Sequence, residues 1–211
     1  MTNFIPIFPL GIVVYPGEQL NLHIFEPRYK QLVSECIREN KPFGIPAVID
    51  KKVNEYGTLV EIARVEKVYE TGELDIRTKG LKVFRILEII REVPEKLYAG
   101  AIVNYPDNQE RSSAKLQQQV VTAVRELHQI LQVSKSFPQA DDVLRSYDLA
   151  HHAGLSLQEE YEILHLFHEM QRLEYLKRHL QKVIPVMNEM ERLKDRVKLN
   201  GHFRNLSVDN F

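Results

Sequence analysis

Eight histidines, a single cysteine and no tryptophan make up the unusual side chains of this 211-residue sequence. His165 and His168 stand i, i+3 and would share a helix face with Glu162 or Glu169, a trio of the kind that holds a divalent cation. Leu164, Leu166 and Phe167 crowd the same turns, so the spacing favours histidines that flank a core. His151 and His152 are sequence neighbours whose side chains diverge on a helix and chelate poorly. His23 falls on the polar side of an alternating strand pattern, where surface or turn hydrogen bonding is expected. Cys36, within Leu32-Val33-Ser34-Glu35-Cys36-Ile37, reads as a small buried hydrophobe on a helix face. One cysteine excludes an intrachain disulfide and a cysteine-rich zinc site.

The nucleotide and hydrolase motifs are missing. Gly72 to Gly80 contains Lys79 but lacks the spacing and the hydroxyl of a phosphate-binding loop. There is neither a Gly-x-Ser-x-Gly elbow nor a His-Glu-x-x-His helix, and no serine sits in a strand-to-helix elbow where a base would activate it. We therefore expect no catalytic residue, no metal site and no cofactor. Net charge is −1, so no global field steers nucleic acid or a membrane surface to the chain. The final helical stretch, Arg172 to Arg204, is richer in Lys and Arg than in Asp and Glu. Its two aromatic residues, Tyr175 and Phe203, are too few to interleave with these charges as base stacking requires, and a solvated face explains them. The N-terminus lacks a basic region and an apolar stretch of signal-peptide type, and no run is long enough to span a bilayer. A cytoplasmic protein is expected.

The elements that must position these residues fall into two halves. Residues 4–105 read as short strands: Ile12–Val14 and Leu20–Ile24 around a type II turn at Pro16-Gly17, then Phe43–Ile49, Gly57–Val65, Leu74–Thr78, Leu81–Leu87 and Leu97–Val103. Between them Pro27 opens a helix whose stripe is Tyr29, Leu32, Val33, Cys36 and Ile37, ending near Asn40-Lys41-Pro42. Residues 106–112 form a polar linker. Residues 113–200 are helical, with Ser113, Asp141 and the Ser156–Glu159 capping box as starts and Ser136-Phe137-Pro138 as a stop. Leu173, Leu176, Leu180, Val183, Met187, Met190 and Val197 stripe the last helix. Pro185 predicts a kink or break within it, Asn200-Gly201 predicts its end, and 201–211 should be an irregular tail.

Ile5–Leu10, the Tyr15-Pro16-Gly17 turn and Leu22-His23-Ile24-Phe25-Glu26-Pro27-Arg28-Tyr29 resemble the N-terminal, substrate-binding domain of Lon ATP-dependent proteases. Phe43–Ile45, Gly57–Ile62 and Gly80–Ile86 follow in that family's order. The resemblance is strong over 4–105 and weaker over 113–200. It implies an α+β fold: a PUA-like β pseudobarrel with one early helix at 1–105, then a helical bundle ending in a long helix. In full-length members that helix leads to an ATPase and a serine–lysine protease. This sequence contains neither, so the resemblance implies a stand-alone, non-enzymatic receptor for unfolded or peptide-like protein segments. Its expected partners are such segments, a protease or chaperone that receives them, and a second copy of the chain. RNA or small-ligand binding through the barrel, or assembly through the Leu176–Val197 stripe, are the alternatives. Phe25, Glu26 and Arg28 form the candidate peptide-facing corner, weighed against Phe25 and Tyr29 filling the core while Glu26 and Arg28 fix the turn.

Overall fold

The structure, a computed structural model, describes residues 3–133, 137 and 139–204. Six strands and five helices follow in the order β1 (Asn3–Pro6), β2 (Gln19–Ile24), α1 (Pro27–Glu39), β3 (Phe43–Ile49), β4 (Lys52–Val68), β5 (Leu74–Ile90), β6 (Gly100–Asn104), α2 (Ala114–Ile130), α3 (Ser146–Ala150), α4 (Leu157–Leu164) and α5 (Glu169–Arg204). This is the expected α+β arrangement. Two compact units are present. One comprises Met1–Glu110 with Gly154–Glu169, the other Arg111–Ala153 with Met170–Phe211.

The first unit is an antiparallel sheet in the order β1-β6-β5-β4-β3, with β2 added to β5. β4 and β5 are 17 residues each, longer than the short strands expected. Leu74–Thr78 and Leu81–Leu87 belong to one strand that changes neighbours along its length. Its first part pairs β2 through Leu74–Lys79, and its last part pairs β6 through Arg85–Ile90. Gly80 makes the change of neighbour feasible. The turn after Tyr15 docks there, with Gly17 N–H donating to the Gly80 carbonyl at 2.9 Å and Gly80 N–H to the Glu18 carbonyl at 2.8 Å. A Cβ on residue 80 would strike the Tyr15 carbonyl oxygen. Gly17 supplies the positive φ of 86° that a type II turn needs at its third position, and Glu18 N–H closes the turn on the Tyr15 carbonyl at 3.2 Å.

Ile12–Val14 forms no strand. Its backbone is used elsewhere: the Val14 carbonyl accepts from the Thr58 hydroxyl, while Val13, Val14 and Tyr15 are buried. β6 begins at Gly100 rather than Leu97, because residues before it turn back to α1. The segment after β1 closes the sheet path onto β3 by parallel bridges at Ile7–Gly44 and Leu10–Ala47. Beneath α1 lies one apolar cluster that includes Phe8, Ile24, Tyr29, Leu32, Val33, Cys36, Phe43 and Val60. Ile5, Ile7, Leu59, Phe84, Ala101 and Val103 form a second.

α4 returns to this unit. Ser156 accepts from Glu159 N–H at 3.3 Å and the Glu159 carboxylate accepts from Ser156 N–H at 2.8 Å, the capping box read from sequence. The Tyr161 hydroxyl accepts from Tyr56 N–H at 3.1 Å, and the Tyr15 hydroxyl donates to the Glu160 carbonyl at 2.9 Å.

In the second unit Ser113 occupies the N-cap of α2 without a side-chain cap bond. Asp141 caps no helix; it pairs with the Arg125 guanidinium, and α3 starts five residues later at Ser146. α2 ends at Ile130, and Ser136 and Pro138 of the expected stop lie outside the described residues. Arg172 is buried, donating to the Ser146 hydroxyl at 2.8 Å with its guanidinium 4.1 Å from the Tyr147 ring centre, so it is no part of a solvated basic face. α5 runs unbroken through Pro185 and past Asn200-Gly201 to Arg204. The helix thus exceeds the expected end at 200, and the expected tail falls on helix at 201–204 and outside the described residues beyond.

Candidate functional site

α1 positions the two surfaces that matter. Pro27 sits at its first turn, Glu26 at its N-cap with extended backbone, and Asn40 ends it at φ 52°. The N-terminal end is tied to the β4–β5 hairpin tip by the Lys30 ammonium on the Thr71 carbonyl at 3.0 Å. Its C-terminal end faces the middle of β4.

At that C-terminal end lies a groove of about 300 Å³, lined by Ile37, Lys41 and Pro42 on one side and Ile62, Arg64 and Val65 on the other, with Leu81 closing it. Ile37 is 43% exposed and Leu81 40% exposed. Ile37 was expected in the core with the rest of its stripe. It lies one position past Cys36 at the edge of the helix face, and the chain leaving α1 at Asn40 leaves it uncovered. β3 covers the edge of β4 only from Lys52 to Val60. From Glu61 to Val68 β4 is paired on one side only, by β5, with irregular register at Ile62/Arg64 and Val65/Lys67. The groove therefore runs beside a free strand edge, whose backbone N–H and C=O groups are a template for another strand.

Cys36 lines the base of the groove but is no nucleophile. It is 4% exposed, and burial, with Glu35 and Glu39 adding to it, pushes its thiol up to about 12. Beside it Glu35 binds the incoming 91–99 segment, with Lys96 Nζ donating to its carboxylate at 2.9 Å and the Tyr98 hydroxyl at 2.5 Å, and Gln31, one turn earlier on α1, donates at 3.1 Å. Burial raises the Glu35 carboxyl, but these three donors together outweigh it and hold the group below its ordinary range.

The corner expected to face a peptide is at the opposite end of α1. Phe25 is 57% exposed and stacks on His23, with ring centres 6.0 Å apart. It does not fill the core, whereas Tyr29 does, stacked on Phe8 at 3.9 Å. Glu26 and Arg28 pair with each other at 2.7 Å, and the Arg28 guanidinium sits 4.5 Å from the Tyr29 ring centre. His23 Nδ1 lies 2.7 Å from Asp75 Oδ1, and the Tyr69 hydroxyl donates to the other oxygen of that carboxylate at 2.7 Å. The His23 and Tyr69 bonds hold the Asp75 carboxyl below its usual range. This is the surface hydrogen bonding expected of His23, here joining β2 to β5.

His165 and His168 form no ligand pair. His165 Nδ1 donates to the Tyr161 carbonyl at 2.8 Å and its ring stacks on Tyr56 at 5.3 Å, while His168 bridges to Gln109 through backbone. Among the described residues no group of three His, Cys, Asp or Glu side chains is placed to hold a metal ion, and no helix is long and apolar enough to cross a membrane. The groove residues Lys41, Arg64, Val65 and Leu81 carry no sequence signal of their own. What sets them apart is the point at which β3 stops covering β4, a tertiary fact.

Three comparisons bear on this geometry. The Lon N-terminal domain protein from Xanthomonas campestris superposes with a TM-score of 0.62 at 28% identity, covering 82% of this chain and 96% of that one. The N-terminal domain of the Mycobacterium avium complex Lon protease superposes at 0.61 over 85% of this chain and 98% of that one; at 13% identity it speaks for the fold alone. Protein cereblon from Gallus gallus is 29% identical over 90 residues, 40% of this chain but only 20% of that protein, so the chain spans about a fifth of this relative's length. The family model of the ATP-dependent protease La (LON) substrate-binding domain matches residues 5–182, and with that coverage the chain belongs to this family.

Proposed function

We propose that this substrate-binding module takes extended, unfolded protein segments into the groove between the end of α1 and the free edge of β4. The observation that carries the reading is the uncovered stretch Glu61–Val68 lying along a groove whose walls mix apolar with charged and polar side chains. A segment in extended conformation would continue the sheet through its own backbone, which gives affinity without sequence preference. Ile37, Ile62, Val65 and Leu81 would receive alternate apolar side chains, and Lys41 and Arg64 frame the groove with charge. Phe25 offers the same polypeptide an apolar contact at the other end of α1, whereas Glu26 and Arg28, satisfied by one another, hold the corner in place. No bond is made or broken in this reading: the chain recognises a segment and presents it to a protease or chaperone.

The test is retention of a permanently unfolded protein, such as reduced and carboxymethylated α-lactalbumin, on immobilised chain, with the native form as control. Ile37→Asp and Leu81→Asp, both at exposed positions, should each cut retention about tenfold while leaving the circular dichroism spectrum and melting temperature unchanged. Equal retention of folded and unfolded forms, or retention unaffected by both substitutions, overturns the reading. Loss on Phe25→Ala alone would move the site to the corner.

A further inference from the structure

The free edge of β4 is blocked at one end. From Lys52 to Val60 that edge is taken by β3, with Phe43 opposite Val60. The chain enters β3 from α1 through Asn40, Lys41 and Pro42, all of which line the groove. A strand laid along Glu61–Val68 lies in line with β3 and runs into this connection. Past Val68 the edge simply runs out at the hairpin between β4 and β5.

Positive charge gathers at the blocked end. Two cations share Glu39, Arg38 at 3.1 Å and Lys41 at 2.8 Å. Two more share Glu66, Arg64 at 3.4 Å and Arg77 at 3.0 Å. Each cluster holds one cation more than it has carboxylates. Glu61 also lines the groove, but it stands opposite Lys79 across β4 and β5. The Lys41 and Arg64 side chains are 66% and 72% exposed, so their ion pairs are exchanged for a ligand at little cost. The carbonyl end of α1 opposes an anion, yet its Ile37 and Cys36 carbonyls already accept from the Asn40 and Lys41 amides at 3.3 and 3.0 Å.

We infer that the groove receives the free C-terminus of an unfolded chain, an inference that rests on the groove reading above. The strand pairings of the sheet are antiparallel. A segment that joins β4 in the same sense as β3 points its C-terminal end at Asn40–Pro42. There its α-carboxylate meets the Lys41 ammonium, the Arg64 guanidinium and the Asn40 amide, as carboxylate-capturing grooves require. A segment in the parallel sense would bring an α-ammonium to the same cations. One that continues past the terminus must bend out of the sheet at Pro42 and forfeit the pairing.

Fluorescence anisotropy of the full chain with synthetic peptides tests this. The probe is a Ser/Thr/Val peptide of about eight residues, enough to lie along Glu61–Val68 at about 3.3 Å per residue, labelled at its N-terminus. Its free acid should bind about tenfold more tightly than its C-terminal amide. Adding a Gly/Ser tail that carries the carboxylate beyond the groove should reduce binding to that of the amide. Lys41→Gln and Arg64→Gln should each remove most of the acid's advantage. Leu81→Ser, which leaves every charge in place, should weaken acid and amide alike, and circular dichroism confirms that each variant keeps its fold. Acid and amide bound equally, both sensitive to Leu81→Ser, overturn the terminal site and leave the groove reading standing. A tailed peptide as tight as the free acid, or an acid preference indifferent to both Lys41→Gln and Arg64→Gln, overturns it too. If neither form binds, or Leu81→Ser changes nothing, the groove reading itself falls and this inference with it.

Discussion

Cys36 shows how a residue's chemistry is decided by its surroundings. A thiol of ordinary acidity is a few per cent thiolate near pH 7 and reacts readily. Burial has pushed this one up to about 12, so it stays protonated and packs as an apolar side chain. Native protein should therefore react with a disulfide reagent at pH 7.5 at least about a hundredfold more slowly than the chain in guanidinium. Equal rates would mean that the groove floor is open to solvent. Glu35, next in sequence, behaves oppositely, because three donors converge on it. A carboxyl depressed in the folded state adds stability that is present above its unfolded value, about 4.3, and is lost as pH falls through the depressed folded value. Glu35→Gln should cost about 1–2 kcal/mol at pH 7 in urea unfolding, and the deficit relative to wild type should shrink as pH drops below about 4. A deficit independent of pH would assign the loss to packing instead.

At the scale of elements, α1, β2, β3 and the capping box of α4 were legible because each is written locally. Pro27 and the 3.6-residue stripe define the helix, alternation defines the strands, and Ser156 with Glu159 satisfies orphan amides three residues apart. The continuity of β5 was not legible. Gly80 looks like a break between two short strands, yet it is a place of close approach where the Pro16-Gly17 turn lies against the strand. Ile12–Val14 has strand-type residues but lends its carbonyl to Thr58 instead. Asp141 has a cap-type side chain, and Arg125 claims it. Of the candidate residues, Phe25 is exposed at the corner rather than packed in the core as the alternative had it, and the groove was missed because it depends on where β3 ends. The role given to Gly80 predicts that Gly80→Ala, a single methyl, costs about 2–3 kcal/mol by forcing the turn off the strand. Ser156→Ala, which loses one cap, should cost about 1 kcal/mol. Thermal melts rank the two, and a Gly80→Ala protein as stable as wild type would detach the turn from the strand's architecture.

Across the whole molecule, chain order and spatial order part company at residue 110. The first unit takes back Gly154–Glu169, so its sheet is completed by a helix written more than forty residues later. Tyr161, Ile163 and Leu164 are buried, the Tyr161 hydroxyl satisfies Tyr56 N–H, and Gln109 exchanges backbone bonds with Phe167 and Glu169 at 2.7 and 2.9 Å. Nothing local announces this return, since the capping box says that a helix begins but not which surface it covers. A fragment ending at Glu110 would expose those contacts and leave the Tyr56 amide without its acceptor, at about 1.5–3 kcal/mol for each large apolar side chain uncovered. Against a typical total of 5–15 kcal/mol, that is enough to leave the fragment marginal. Fragment 1–110 should therefore melt broadly and well below the intact chain. Because the missing piece is contiguous, a synthetic peptide of residues 154–169 should restore a sharper and higher transition in proportion to its concentration, since whatever binds only the folded state stabilises it by mass action. A fragment that melts sharply at the same temperature with and without the peptide would show that the sheet closes on residues 3–110 alone, and that the return of α4 is an attachment to a finished unit rather than a part of it.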